Sequence, residues 1–201
     1  MSEPISFEGL KKLPTEPFIS FCSDRKIKAK VELDADEPVV AGLKQLYEKN
    51  DSVSYFQVIA NALPVRESVW LACLAAEDML PEGADPPRTL QSAKAWVFRP
   101  TEETRKAVED AIAEADMDEP TLLAADAAFH GKVKGLENIV MSPPNAAPTM
   151  VFAMLMKAAL DKKEPAEKDE VWQTLVGYSL NIAAGGTGRL KAPEEAENGS
   201  N

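Results

Sequence analysis

Residues 39–80 carry the pattern that decides the fold, and they read VVAGLKQLYEKNDSVSYFQVIANALPVRESVWLACLAAEDML. Apolar residues recur in this stretch at spacings of three and four, beginning with Val39 and Leu43, which is the period of one buried helix face. The run Asn50-Asp51-Ser52 can end one helix and cap the next. Pro64 stands where a first-turn proline is tolerated. The stretch therefore predicts three helices, over about residues 39–49, 52–63 and 64–80.

Five further helices are predicted from the same period, from alanine and leucine enrichment, and from cap and stop signals. They cover about residues 88–98, 101–115, 121–129, 147–160 and 168–184. Thr101 is a ready N-cap for the second of these, and the last two are the most apolar, which places them at the centre of the expected core. The predicted fold class is all-α, an irregular bundle of about seven to eight helices in antiparallel pairs.

The first 38 residues differ from this helical region. Four prolines interrupt them, and apolar residues alternate with charged ones from Ile27 to Leu33, a period of two. This predicts an extended N-terminal arm, with one short edge strand as its regular element. Without a second strand to pair with, the arm would pack on the helices, pair with a partner or stay mobile. The expected organisation is an arm over 1–38, a single helical domain over 39–186 and a disordered C-terminal tail over 187–201.

Charge and composition limit the functional classes. The chain has 201 residues, and 33 acidic against 22 basic residues give a net charge of −11, which repels nucleic-acid phosphates and anionic lipid headgroups. The most apolar segment, 146–160, is interrupted by Pro148 and Lys157 and is too short to span a bilayer. With no signal-peptide pattern and only Cys22 and Cys73 available, we expect a cytoplasmic protein with no nucleic-acid partner and no membrane insertion.

Motifs that carry chemistry are sparse. His130 is the single histidine, so any Ser-His-Asp or Cys-His arrangement would depend on it. Its position at a predicted helix end beside Gly131 favours a structural role, because a cation is favourable at a helix C-terminus. The run Gly185-Gly186-Thr187-Gly188-Arg189 resembles a phosphate-binding loop, but it follows a helix instead of opening one, which favours a glycine helix stop. We predict no catalytic residue, no cofactor and no metal.

The segment Ala62–Ala72 is the most distinctive in the chain. Proline fixes the helix start, two charged residues decorate the first turn and a tryptophan anchors the next. The three tryptophans either fill the core or include an exposed aromatic binding anchor, and both interpretations stay open. The candidate partner-binding or signature residues are Pro64, Arg66, Glu67, Trp70 and Trp96.

Asp126 is a further polar residue to place. It lies among alanines in a predicted helix, and a buried carboxylate needs a partner, for which Arg66 or Arg99 is a candidate. Such a contact is more often a structural ion pair than a catalytic one.

The Ala-Leu-Pro-x-Arg-Glu-x-Val-Trp signature at residues 62–70 resembles an uncharacterised bacterial family, the domain of unknown function numbered 6931. The likeness continues through Ala95-Trp96-Val97, Pro100–Arg105 and Leu123–Phe129, and extends over roughly residues 40–185. The resemblance implies no catalytic residues. It implies an accessory, adaptor or chaperone-like role in bacterial secretion, particularly in type VI systems.

These observations together predict a non-enzymatic protein-binding module. Its expected partner is another protein, such as a secretion component or effector, bound by the arm or by a groove beside the helix that follows Pro64. A small hydrolase-type enzyme using His130 and a structural homo-oligomer are the alternatives.

Overall fold

The structure is a computed structural model that describes residues 5–135 and 142–189. Nine helices form within these residues and no strand does, so the all-α fold class is confirmed. The helices are α1 Phe18–Asp24, α2 Val39–Glu48, α3 Ser52–Ala62, α4 Val65–Glu77, α5 Arg88–Phe98, α6 Glu102–Glu114, α7 Leu122–Phe129, α8 Ala146–Asp161 and α9 Pro165–Ala184. None of the helices in the described ranges is long and apolar enough to cross a membrane.

Helix boundaries follow the local signals. The Asp51 carboxylate accepts a hydrogen bond from the Ser54 N–H at 3.0 Å and so caps α3. Thr101 and Thr104 form a reciprocal capping box at the start of α6. Gly185 adopts the left-handed conformation that ends α9, with φ at 103°. The predicted cap residues and the glycine helix stop are confirmed.

Helix α8 lies at the centre of the packing. It contacts α3, α4, α7 and α9, and its buried face includes Val151, Met154 and Leu155. Helices α5, α6 and α7 pack on one another at one side, while α9 covers α4 and α8. The prediction that α8 forms the centre of the core is confirmed. The first turns of α9 do not belong to the core, because residues 165–170 are exposed.

The described part of the chain holds nine helices instead of seven to eight, because α1 forms inside the segment expected to be an extended arm. Phe18 and Phe21 on α1 are almost fully buried, and α1 packs on α2. Gly42 makes this contact possible, since a Cβ atom there would lie 2.0 Å from Phe18 Cδ2. Ile5, Phe7 and Leu10 of the arm also pack against the core.

The strand expected at Ile27–Leu33 does not form. Burial alternates as the pattern predicts, with Ile27 buried and Lys28 exposed, but no neighbouring strand supplies the backbone hydrogen bonds of a ladder. The side chain of Gln45 substitutes for part of one, accepting from the Glu32 N–H at 2.6 Å and donating to the Glu32 carbonyl at 3.0 Å. The segment is extended chain held by a side-chain amide.

Candidate partner-binding cleft

An open cleft of about 490 Å³ lies between α4, the end of α5 and the chain that follows α9. Its size falls within the range of small-ligand and peptide side-chain pockets. Both apolar and charged side chains line it. The lining residues are Lys12, Arg66, Glu67, Trp70, Val97, Phe98, Ile182, Gly186 and Thr187.

Arg66 joins α4 to the end of α5. Its Nε and Nη2 atoms donate to the Val97 carbonyl at 2.9 and 2.7 Å, and Nη2 also reaches the Phe98 carbonyl at 3.4 Å. These carbonyls belong to the last turn of α5, where backbone acceptors have no intrahelical donor and a cation is favourable. The guanidinium is therefore held in a fixed position at the edge of the cleft.

Trp70 forms one wall. Its indole N–H donates to the Thr187 carbonyl at 2.6 Å, and its ring lies 5.5 Å from the Phe98 ring at an angle of 58°. The Phe98 side chain is 70% exposed, which is high for a large aromatic residue. The Lys94 ammonium lies 5.8 Å from the Trp70 ring centre, within cation–π range. The two aromatic rings thus form an accessible apolar surface with a cation beside it.

The chain after α9 completes the cleft. The Gly188 N–H donates to Asn181 Oδ1 at 2.8 Å, and a Cβ at Gly188 would lie 2.5 Å from Leu74 Cδ1. Arg189 forms ion pairs with Glu77 and Asp78 near the end of α4. Residues 187–189, which fell within the predicted disordered tail, are therefore held against α4, and residues 190–201 lie outside the described part of the chain.

The arm also reaches the cleft. Lys12 forms an ion pair with Glu67, and its backbone N–H donates to the Ala183 carbonyl at 2.9 Å. A residue of the arm, the first turn of α4 and the end of α9 therefore meet at one edge of the cleft.

The five candidate residues divide between the cleft and other places. Arg66, Glu67 and Trp70 line the cleft, whereas Pro64 is exposed just before α4 and does not line it. Trp96 is fully buried, and a Cβ at Gly131 would lie 2.4 Å from its Cη2 atom. Trp96 is therefore a core residue. Phe98 is not among the residues that the sequence indicated. Its position off the apolar stripe of α5 is the signal that predicts an exposed aromatic side chain.

Asp126 and Arg66 do not meet, since Arg66 bonds to the end of α5. Burial raises the pKa of the Asp126 carboxyl, and the nearby His130 offsets part of that rise. Within residues 5–135 and 142–189 Asp126 forms no ion pair with an arginine, so Arg99 is not its partner either. Neither candidate arginine is therefore the partner of Asp126, which is half-buried.

His130 follows the last residue of α7 and is half-buried. Its Nδ1 atom lies 2.7 Å from Ser142 Oγ, and its ring packs edge-on against Phe129 at 5.1 Å. Asp126 lies one helical turn earlier but makes no hydrogen bond to the imidazole in the described residues. A serine and a histidine are in contact here without the orienting carboxylate of a Ser-His-Asp triad.

The cysteines are buried and unpaired with each other. Burial raises the pKa of Cys22 to about 11 and that of Cys73 to about 12, so both are protonated near neutral pH. Among the residues that the structure describes, no three metal-ligating side chains come together.

The model of a family described as a family of unknown function, DUF6931, matches residues 42–183. The chain belongs to this family. No curated protein and no solved structure matches the chain. The DUF6931 match runs from within α2 almost to the end of α9 and includes Arg66, Trp70 and Phe98, whereas Lys12 and Thr187 lie outside it. The cleft of this DUF6931 protein therefore combines residues of the family region with residues that flank it.

Proposed function

We propose that this DUF6931 protein is a non-enzymatic protein-binding module of the cytoplasm, and that its contact surface is the cleft formed by Trp70, Phe98 and Arg66. Its proposed role is that of an accessory, adaptor or chaperone-like protein of a bacterial secretion system, of type VI by the resemblance of its signature. The observation that carries the proposal is the 70% exposed Phe98 ring beside Trp70 at the mouth of a 490 Å³ cleft.

The chemistry of the surface supports protein binding. Tryptophan and arginine are the side chains that contribute most per residue to protein–protein affinity, and here they lie next to each other on α4. Both are already held in place, Trp70 by the Thr187 carbonyl and Arg66 by the Val97 carbonyl. A surface that is ordered before binding loses little side-chain entropy when a partner arrives.

The test is affinity purification of the tagged full chain from its own host, with mass spectrometry as the readout. Three chains are compared: the unaltered one, Phe98→Ser and Met117→Ser. Met117 is 87% exposed and does not line the cleft, so it is a matched control for the loss of an exposed apolar side chain. Deletion of the arm is unsuitable, because Phe18 and Phe21 belong to the core.

We expect a secretion component to be enriched by the unaltered chain and by Met117→Ser, and to be lost with Phe98→Ser. Equal recovery with all three chains would refute the cleft as the contact surface. Partners without any relation to secretion would refute the adaptor role while retaining the cleft.

A hydrolase-type activity is the second candidate, and the 2.7 Å contact between His130 Nδ1 and Ser142 Oγ is the observation that favours it. A histidine that accepts the hydroxyl proton would make Ser142 a nucleophile. A fluorophosphonate probe tests this directly, because it labels activated serines. Labelling of the unaltered chain that disappears with Ser142→Ala would establish the enzyme, whereas an unlabelled chain would remove it.

A further inference from the structure

The hydrogen-bonding groups of the cleft indicate the chemistry of its occupant. Within residues 5–135 and 142–189, neither Arg66 Nη1 nor the Thr187 backbone N–H has an acceptor. The Val97 carbonyl takes two bonds from Arg66, and the Thr187 carbonyl takes one from Trp70. The Glu67 carboxylate is paired with Lys12. The cleft therefore offers donors, and a matching ligand supplies acceptors.

The charges of the cleft also favour a negatively charged occupant. Two cations, Lys12 and Arg66, and one anion, Glu67, line it, whereas the chain as a whole carries a net charge of −11. Lys94 lies beside the Trp70 ring and forms an ion pair with Glu77, so this pair leaves the excess of one positive charge unchanged. An acidic segment is repelled by the net negative charge of the protein and attracted by the cations of the cleft, so it is directed to the cleft.

The apolar part of the cleft is large enough for one substantial side chain. Trp70, Phe98, Val97 and Ile182 supply apolar walls around it. The Phe98 ring is exposed and the Trp70 indole is tied to Thr187, so an inserted side chain would bury ring surface without breaking a core contact.

From these three features we propose that the partner bound in the cleft is an acidic peptide segment with one large apolar side chain. The apolar side chain packs on Trp70 and Phe98, and an adjacent carboxylate accepts hydrogen bonds from Arg66 Nη1 and the Thr187 N–H. Nη1 is the guanidinium nitrogen that the Val97 carbonyl leaves without an acceptor, and a charge-assisted bond from it to a carboxylate is stronger than a bond between neutral groups. This inference rests on the proposed function, since it names the chemistry of the partner at the same cleft.

The experiment is selection of displayed random 12-residue peptides on the full chain, on Phe98→Ser and on Met117→Ser. Enriched peptides are synthesised together with counterparts in which every Asp and Glu is replaced by Asn and Gln, and affinities are measured by fluorescence anisotropy. Circular dichroism confirms that each variant is folded, which we expect because both substituted side chains are exposed.

We expect enriched peptides to carry an apolar residue flanked by Asp or Glu and to bind Met117→Ser as they bind the unaltered chain. They should lose at least tenfold in affinity for Phe98→Ser, and the amide counterparts should bind roughly tenfold more weakly, the scale of one charge-assisted hydrogen bond. The affinity should also fall as salt is raised.

Failure of this inference and failure of the proposed function are distinguishable. Peptides without acidic residues, or amide counterparts that bind equally well, would overturn the acidic-partner proposal and leave the cleft as a protein-binding surface. Selection that yields no peptide dependent on Phe98 would overturn both.

Two other occupants are tested with the same peptides. Glu194→Gln with Glu195→Gln in the full chain removes charge from the protein's own C-terminal residues. If this raises peptide affinity tenfold, the chain's own end is the occupant and the proposal of a separate partner fails. If light scattering shows a dimer that added peptide dissociates, the occupant is a second copy and the proposal fails in the same way.

Discussion

Substitution of Gly131 by alanine tests the packing around the buried Trp96. An alanine Cβ would lie 2.4 Å from Trp96 Cη2 and 2.7 Å from Cζ2, whereas carbon atoms in contact are about 3.5–4.0 Å apart. The indole ring is fully buried and would have to move by about 1 Å within a close-packed core. Overpacking of this kind costs about 1–3 kcal/mol, and we expect Gly131→Ala to lower the free energy of unfolding by that amount.

A double-mutant cycle with Trp96→Phe identifies the cause. Phenylalanine lacks the two carbon atoms that the new methyl group would meet, so Gly131→Ala should cost less than about 1 kcal/mol in the Trp96→Phe background. The assay is urea unfolding followed by circular dichroism, with the slope checked for each variant. Gly83→Ala is the control, because a Cβ there meets nothing within 4 Å and the strain of its φ of 75° is independent of Trp96. An equal cost in both Trp96 backgrounds would refute the reasoning.

Three further outcomes are expected. Gly42→Ala should push the Phe18 ring away from α2, lower stability by about 1–3 kcal/mol and speed proteolysis within the arm, and unchanged cleavage rates would contradict the docked arm. Cys22 and Cys73 should resist a thiol reagent at pH 8 and react in denaturing urea, because burial keeps both thiols protonated, and prompt native-state labelling would show that they are accessible. Asp126→Asn should increase stability near pH 7, because burial raises the Asp126 pKa and the folded chain disfavours its charged form. This advantage should be lost as pH falls through the raised pKa of the folded chain towards the ordinary carboxyl pKa. A pH-independent difference in unfolding free energy would exclude that explanation.

Local signals predicted most of the fold because they act within one turn. Asp51 and Thr101 cap helices wherever the chain places them, and the helix period of α2 to α4 needs no distant information. Helix α1 was missed for the opposite reason. Its seven residues are too few to show a clear period, and its burial depends on the space that Gly42 leaves for Phe18.

The segment Ile27–Leu33 shows how a correct pattern can predict the wrong element. An alternation of apolar and charged residues reports which side chains face the core, and it did so correctly here. A strand also needs a neighbouring strand that bonds with its backbone. Here the side chain of Gln45 takes part of that place, and the segment remains extended chain without a ladder.

The candidate cleft was predicted in part. Arg66, Glu67 and Trp70 are neighbours on one helix, so their sequence spacing placed them together. Lys12 and Thr187 join them through contacts that span 55 and 117 residues of chain, and no local pattern encodes such distances.

The environments of the three tryptophans make the cleft optically observable without a label. Trp96 and Trp172 are buried in the core, and their indole nitrogens have no hydrogen-bond partner in the described residues, so dissolved quenchers such as iodide should not reach them. Trp70 is at the surface and bonded to the Thr187 carbonyl. The quenchable fraction of the tryptophan emission therefore belongs to Trp70, and a molecule that covers the cleft will reduce this quenching.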